Sequence, residues 1–358
     1  MAVARMLRAL LPLILAGGAL ALDDGLARTP PMGYRTWNDV HGVVNASFVM
    51  KMVDAVTSRS RMVDGKPTSL ADLGYGRVGL DDGWQACHTG YAPRGQKPSF
   101  HAKDGSPLIN ASLFPSLKDM VAYGHARGVQ MDMYVLNCIC LDEYVLQADK
   151  AFAQRAYAGD AQMLLDAGFD GVKIDNCGDD QGAGYVARVG HIRSSGKKLL
   201  IENSNQGFGN PWPSGKPSRN SPGPPRENPP NRSVLPDYCP FHMFRSGGDI
   251  GPSFGNIVAK LQYVRPYLAT DAPVSRPGCW AFPDMLEVGN FGNGPLAFVE
   301  SRSHFGAWCI VSSPLYLSTA LTDGLTLDAI WPIVTNREAI HVNQMWCAHP
   351  DHKARITR

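Results

Sequence analysis

From about Leu26 onward, short apolar runs that end in polar residues alternate with longer stretches patterned for helices, which is the signature of repeated strand–helix units. The candidate strands are 33–37, 77–80, 130–135, 171–174, 198–201 and 243–245, with short pieces near Ala272 and Leu315. Helical patterning fills the gaps at 47–59, 117–127, 150–167, 185–194, 255–268 and 296–311. Eight units over roughly 320 residues predict an α/β fold, a (β/α)8 TIM barrel, whose functional residues gather at the C-terminal ends of the strands. A doubly wound open sheet competes, but no Gly-rich phosphate turn follows the first strand.

Three segments break the alternation. Arg5 and Arg8 precede an apolar run from Ala9 to Leu22 that ends in Ala19-Leu20-Ala21, so residues 1–21 read as a secretory signal peptide cut near Ala21. The run is shorter than the roughly 20 residues a spanning helix needs, which disfavours a stable membrane anchor. Residues 207–240 hold nine prolines between Pro211 and Pro236 and predict a long irregular loop after the fifth strand. It reads as a lid or subsite wall, or as an insertion without function. The tail 346–358 is polar and unpatterned, leaving 22–345 as the barrel.

Composition adds context. With 358 residues, 44% of them hydrophobic, and a net charge of +2, the chain can bury a large core and carries no bias towards nucleic acid or acidic membranes. Eight cysteines fit an oxidising compartment and match no common zinc spacing, so disulfides are expected, while Cys309 in its apolar stretch reads as a small hydrophobe. Sequons at Asn45, Asn110 and Asn231 agree with secretion.

The chemistry lies where apolar runs meet carboxylates. Lys173 and Asp175 end the fourth strand with one residue between them, so both point the same way and the ammonium would keep the carboxylate ionised. A plain strand-end ion pair is the alternative. Asp81 and Asp82 close the second strand, with Trp84, Trp37 and Tyr134 available as an aromatic wall; adjacent carboxylates of this kind suit a sugar or a metal ion. Arg245 and Asp249 are joined by Ser246-Gly247-Gly248, and Asp284 sits in a loop stiffened by Pro277 and Pro283. A barrel that brings these groups to one rim makes a polar cavity. Retaining glycoside hydrolysis needs one ionised and one proton-bearing carboxyl. Asp175 fills the first role and Asp249 the second; the like charge across the cavity favours its protonated form, and Arg245 opposes that.

With these residues in view, the chain resembles glycoside hydrolase family 27, the α-galactosidases and α-N-acetylgalactosaminidases. The matching stretches are Thr29-Pro30-Pro31-Met32-Gly33 through Trp37-Asn38, Leu80-Asp81-Asp82-Gly83-Trp84, Phe114-Pro115 to His125 and Gly128, Val172-Lys173-Ile174-Asp175-Asn176-Cys177, Arg245 to Asp249, Pro283-Asp284-Met285-Leu286, Trp308 to Ser313-Pro314-Leu315, and Asn343-Gln344. The resemblance implies Asp175 as nucleophile and Asp249 as acid/base. It implies Asp81, Asp82, Lys173, Arg245 and Asp284 as ligands of sugar hydroxyls, with Trp37 and Tyr134 lining the pocket. It also implies a disulfide from Cys177 to Cys140, or less favourably to Cys138.

Three departures qualify the resemblance. The fifth strand reads Ile201-Glu202-Asn203-Ser204 where α-galactosidases carry Cys-Glu-Trp, and Ser204 falls near the glutamate that meets the 2-hydroxyl. The N-acetylgalactosaminidases have a serine there, so a 2-acetamido sugar is the alternative, with Glu202 able to supply a carboxylate if the loop shifts. Ala281-Phe282 stands where the family has Asn-Asp, and Thr319-Ala320 where an Asp is familiar. The sequence stops at Arg358 where family members usually continue into an antiparallel β domain, so the expectation is either a barrel-only variant or an incomplete C-terminus, with exposed apolar surface on the barrel flank as the expected cost.

The reading implied is a secreted or lysosomal/vacuolar exo-α-galactosidase with no metal or organic cofactor. Its partner would be an α-galactoside oligosaccharide, glycolipid or polysaccharide, and a homodimer stays open. A non-catalytic sugar-binding barrel, and a metal enzyme using Asp81, Asp82 and Asp284, are the other classes.

Overall fold

The structure is a computed structural model that describes residues 24–175, 181–204, 239–268, 275–290 and 298–346. Its strands are β1 (Met32–Arg35), β2 (Arg61–Val63), β3 (Lys66–Thr68), β4 (Arg77–Gly79), β5 (Gln130–Val135), β6 (Gly171–Asp175), β7 (Leu200–Ser204), β8 (Met243–Arg245), β9 (Trp280–Phe282) and β10 (Leu315–Leu317). The α-helices are α1 (Trp37–Val40), α2 (Ala46–Thr57), α3 (Leu117–His125), α4 (Asp142–Ala148), α5 (Lys150–Ala167), α6 (Gln181–Ser194), α7 (Phe254–Leu268), α8 (Phe298–Ile310), α9 (Gly324–Val334) and α10 (Arg337–Gln344).

Eight strands form one parallel sheet in the order β10-β1-β4-β5-β6-β7-β8-β9, which is the order of a (β/α)8 barrel. The ring closes without a β9–β10 ladder. Instead Leu286, past the end of β9, donates its N–H to the Tyr316 carbonyl at 2.7 Å and bridges Leu317 in parallel. The antiparallel hairpin β2–β3 lies against α9, with Arg61 bonded to Asp328 and the Trp331 indole donating to the Met62 carbonyl.

Local sequence explains the elements. In α2 the buried residues Val49, Met52, Val53 and Val56 recur at three- and four-residue steps, and the Asn45 side chain accepts the Phe48 N–H at its start. Burial of each of these side chains stabilises by about 1.5–3 kcal/mol. Helix α5 begins with Asp149 accepting from Phe152 and ends where Gly168 takes φ 88°. Gly33 is required by close approach, because a Cβ there would stand 2.5 Å from the Arg77 carbonyl oxygen of the neighbouring strand.

Several expectations are corrected. The seventh barrel strand is Trp280–Phe282 rather than a segment near Ala272, which lies outside the described residues. Trp37 starts α1 instead of ending β1. Cys140 pairs with Cys87, not Cys177; Cys138 is also disulfide-bonded, and Cys177 lies outside the described residues. A further disulfide joins Cys239 to Cys279, tying the approaches to β8 and β9 together. Cys309 is free and buried, as its apolar surroundings predicted. The signal peptide, most of the Pro-rich segment and the tail also fall outside the described residues. Phe298, Val299 and Ile310 on α8, Leu325 on α9, Val342 on α10 and Met345 just after it are exposed apolar side chains.

The long excursion between β4 and α3 is pinned by a buried network. His101 is fully buried with Nδ1 3.1 Å from Asp142 and Nε2 3.1 Å from Asp160. Arg188 of α6 donates to the other Asp160 oxygen at 2.7 Å, to the Asn137 side chain and to the Leu136 carbonyl at the end of β5. Burial opposes the imidazolium, but Asp160 and Asp142 outweigh it and push the His101 pKa up to about 9. A folded pKa above the unfolded value of about 6.5 gives stability that is complete below pH ~6.5 and is lost as pH rises through 9. We expect His101→Gln to be less stable than wild type at pH 6. The gap in unfolding free energy should narrow by up to roughly 3 kcal/mol by pH 9.5, read from urea titrations at a series of pH values.

Candidate active site

Alternation along the strands sends Arg35, Tyr134, Lys173, Asp175, Glu202, Ser204 and Arg245 to the barrel interior. Strand register sets Tyr134 opposite Lys173, Lys173 opposite Glu202, and Asp175 opposite Ser204. At the mouth the Tyr134 hydroxyl donates to Asp175 Oδ2 at 2.7 Å, and the Lys173 ammonium donates to Asp81 Oδ2 at 2.9 Å. Lys173 therefore bonds the carboxylate of the second barrel strand and supports Asp175 through its charge. Burial works against that charge, yet Asp81 and then Asp175 raise the lysine pKa. Burial also lifts the Tyr134 hydroxyl well above its ordinary value, with Asp175 adding to the effect, so it remains a donor.

The loop after β4 fixes the carboxylate pair. The Asp81 N–H donates to Thr36 Oγ1, and Asp81 Oδ1 accepts from the Asp82 N–H, each at 3.0 Å. Asp82 accepts the Gly83 N–H at 2.8 Å and has its pKa raised, first by burial and also by the negative charges of Asp81 and Asp175. Gly83 takes φ 106°, and a Cβ there would meet the Gly42 carbonyl oxygen at 2.6 Å, so this turn accepts only glycine.

Across the mouth, Arg245 Nη2 binds Asp284 at 2.7 Å and Asp249 at 3.1 Å. Burial opposes its charge, and Asp284, Asp249 and Asp175 together outweigh this. Asp284 sits at φ 130°, an uncommon conformation for a non-glycine residue. It is held there by Arg245, by the Ile250 N–H at 2.8 Å on its carboxylate, and by the Trp308 indole at 2.7 Å on its carbonyl. Asp249, by contrast, is 70% exposed on the rim. Gly247 lets this loop press onto α7, since a Cβ there would stand 2.3 Å from the Tyr263 ring.

The residues singled out in the sequence thus meet at one end of the barrel. Trp37 is half-buried and packs against the cluster containing Trp280, Phe282 and Met285. Trp84 is a correction: it is fully buried against Phe100, donates to the Tyr134 carbonyl, and belongs to the core rather than to a sugar-facing wall. Glu202 is taken up by Arg35, whose Nη2 donates to it at 2.6 Å. Ser204 Oγ and Arg245 Nε are buried without a hydrogen-bond partner among the described residues, as donors awaiting a hydroxylated ligand would be.

Sequence reading missed Glu287. Its carboxyl accepts from the side chains of Asn38, next to Trp37, and Asn290, and burial pushes its pKa up to about 7. The signal was present in the stretch Pro283-Asp284-Met285-Leu286-Glu287, a second carboxylate three residues after Asp284. For a metal centre, Asp81 already holds Lys173 and Asp284 already holds Arg245, and no group of three metal-ligating side chains occurs among the described residues.

Comparison with known proteins places the chain in a family. The family model described as alpha galactosidase A, of the melibiase type, matches residues 29–345. The α-N-acetylgalactosaminidase of Gallus gallus is 28% identical over 338 residues, spanning 90% of this chain and 72% of that protein. The α-galactosidase of Cyamopsis tetragonoloba is 26% identical over 328 residues, spanning 90% of this chain and 66% of that one. The solved α-galactosidase of Saccharomyces cerevisiae has the same fold, with a TM-score of 0.65 at 20% identity over 91% of this chain and 66% of its own. The chain thus spans between 66% and 72% of the length of these proteins.

Removal of the Asp284 carboxylate leaves the buried Arg245 guanidinium to the exposed Asp249 and strands the Ile250 N–H. Asp284→Ala should cost about 3–5 kcal/mol of unfolding free energy. Asp284→Asn, which still accepts hydrogen bonds, should cost less than half of that; equal losses in denaturant titrations would mean that the charge, not the bonding, holds the loop.

Proposed function

The chain belongs to the α-galactosidase A family of the melibiase type, glycoside hydrolase family 27, and from that premise we propose that it is a retaining exo-glycosidase acting on terminal α-linked galactose. The observation that carries the proposal is the convergence of Asp175, bonded by Tyr134, with the cation–carboxylate pairs Lys173–Asp81 and Arg245–Asp284 at the C-terminal ends of the barrel strands. Such a ring offers a sugar many charged acceptors and donors around one carboxylate.

In the proposed reaction Asp175 attacks the anomeric carbon while the bond to the leaving oxygen breaks and Asp249 passes its proton to that oxygen. Water then attacks the glycosyl-aspartate, gives its proton back to Asp249 and frees Asp175. The positive charges of Lys173 and Arg245 and the Tyr134 hydroxyl favour an ionised nucleophile. Asp249, open on the rim, has access to the aglycone side and to water. Asp81, Asp82, Lys173, Arg245 and Asp284 would grip the hydroxyls, with Trp37 and Tyr134 lining the pocket; no metal or organic cofactor enters. The substrate class is an oligosaccharide, glycolipid or polysaccharide met along the secretory pathway.

One observation favours the α-N-acetylgalactosaminide as a second reading. Ser204, not a carboxylate, stands in register with Asp175, its hydroxyl lacks a partner among the described residues, and Glu202 is committed to Arg35. A small side chain there leaves room for a 2-acetamido group.

The test is release of p-nitrophenol from the α-galactoside and the α-N-acetylgalactosaminide, side by side. Turnover of at least one is expected, falling by at least about 10³-fold in Asp175→Ala. Ser204→Glu should shift the ratio towards the galactoside, and an unchanged ratio would remove Ser204 from specificity. Silence of folded wild type on both would sink the glycosidase reading.

A further inference from the structure

Arg35 lies in the barrel interior immediately below the mouth. Its guanidinium rests 5.1 Å from the centre of the Tyr316 ring. Nη2 is bonded to Glu202 Oε2 at 2.6 Å. Nη1 faces Asp81 Oδ2 from 4.0 Å, beyond hydrogen-bond reach, and both Nη1 and Nε are buried without a hydrogen-bond partner among the described residues. Arg35, Asp81 and Glu202 are each about 1% exposed, so water screens none of these charges well.

That geometry is unexpected for a buried guanidinium. Two unpaired donors and a carboxylate 4.0 Å away would ordinarily close onto each other, because an unsatisfied buried donor is costly. Glu202 draws the guanidinium to the β7 side of the barrel and keeps it from closing. The consequence falls on Asp81. A carboxylate has about four acceptor positions, and here Oδ2 takes Lys173 and Oδ1 takes the Asp82 N–H. An arginine in contact would claim a further position on the oxygen that faces it.

We propose that Glu202 restrains Arg35 so that Asp81 keeps acceptor capacity free for the sugar, which makes the buried Arg35–Glu202 pair a positioning element of the pocket. The inference rests on the glycosidase reading for its kinetic consequence, and on geometry alone for the restraint. Neither residue touches the reacting atoms. The pair acts through Asp81, so its loss affects how tightly the sugar is held more than how fast the bond breaks.

The decisive variant is Glu202→Met, which removes the restraint at similar length. The expected result is a crystal structure with Arg35 in contact with Asp81, and a KM raised about tenfold with kcat within about threefold of wild type. The double variant Arg35→Met with Glu202→Met places two apolar side chains of matching volume in the barrel. It should fold, since replacing a buried pair in this way is commonly tolerated, and should recover most of the KM. If Glu202→Met does not fold, Glu202→Gln should show the same KM change at about threefold. An Arg35 that stays 4 Å from Asp81, a KM that does not move while thermal stability falls, or a double variant no better than the single one would overturn the restraint and leave a merely structural pair. A wild type silent on both glycosides would instead overturn the glycosidase reading, and the Arg35–Asp81 contact in the variant would still decide the restraint.

Discussion

A charge taken inside a barrel has to be met by its opposite, and this chain meets that condition in tiers. Barrel interiors are ordinarily filled by layers of branched apolar side chains. Here only the β7–β10 side follows that rule, with Leu200, Met243, Trp280, Phe282 and Tyr316 packed together. The rest of the interior is ionic, and its pairs draw in Glu202 of β7 and Arg245 of β8: Arg77 with Asp132 low in the barrel, Arg35 with Glu202 above, then Lys173 with Asp81 and, across the mouth, Arg245 with Asp284. Breaking one buried pair leaves a charge worth several kcal/mol uncompensated. Each pair therefore holds its own members in place, and the carboxylates of the mouth are oriented before any ligand arrives. Such preorganisation is what electrostatic catalysis requires, because donors and acceptors need not move when charge develops.

The elements most legible in the sequence were those with a single clear period. Residues 130–135 and 171–174 show a strand length of apolar sequence flanked by turn signals, and 150–167 carries a cap at Asp149 and a stop at Gly168. The strand Trp280–Phe282 was hidden because three residues buried on both sides offer no alternation, and their apolar character was absorbed into the loop of Asp284. Helix α9 is apolar almost throughout and carries Pro332, so no amphipathic stripe announced it. The hairpin β2–β3 is mostly exposed and gains its place from contacts with α9, which are remote in sequence.

The candidate site was legible for a similar reason: a carboxylate directly after an apolar run is a local signal, and Asp81, Asp175 and Asp284 all carry it. What the chain did not display was pairing. Lys173 is two residues from Asp175 yet bonds Asp81, 92 residues away, and Arg35 meets Glu202 across 167 residues. The disulfide was misassigned on the same ground, since Cys138 and Cys140 are too close in sequence for spacing to choose between them, whereas Cys140 in fact faces Cys87.

The point where the barrel closes and the point where the site is finished are the same stretch of chain. β9 makes no ladder to β10, so closure falls to Leu286, two residues after Asp284. Asp284 holds a positive φ that costs of order 1–3 kcal/mol and persists only because Arg245, the Ile250 N–H and the Trp308 indole over-determine it. One residue beyond the bridge, Glu287 binds Asn38, beside Trp37 on the first helix after β1. Strain at Asp284 thus aims a carboxylate into the mouth, lets Leu286 reach β10, and joins the last loop to the first. Stability of the closed ring and geometry of the pocket cannot be tuned separately here, because the bonds that hold one are the bonds that hold the other.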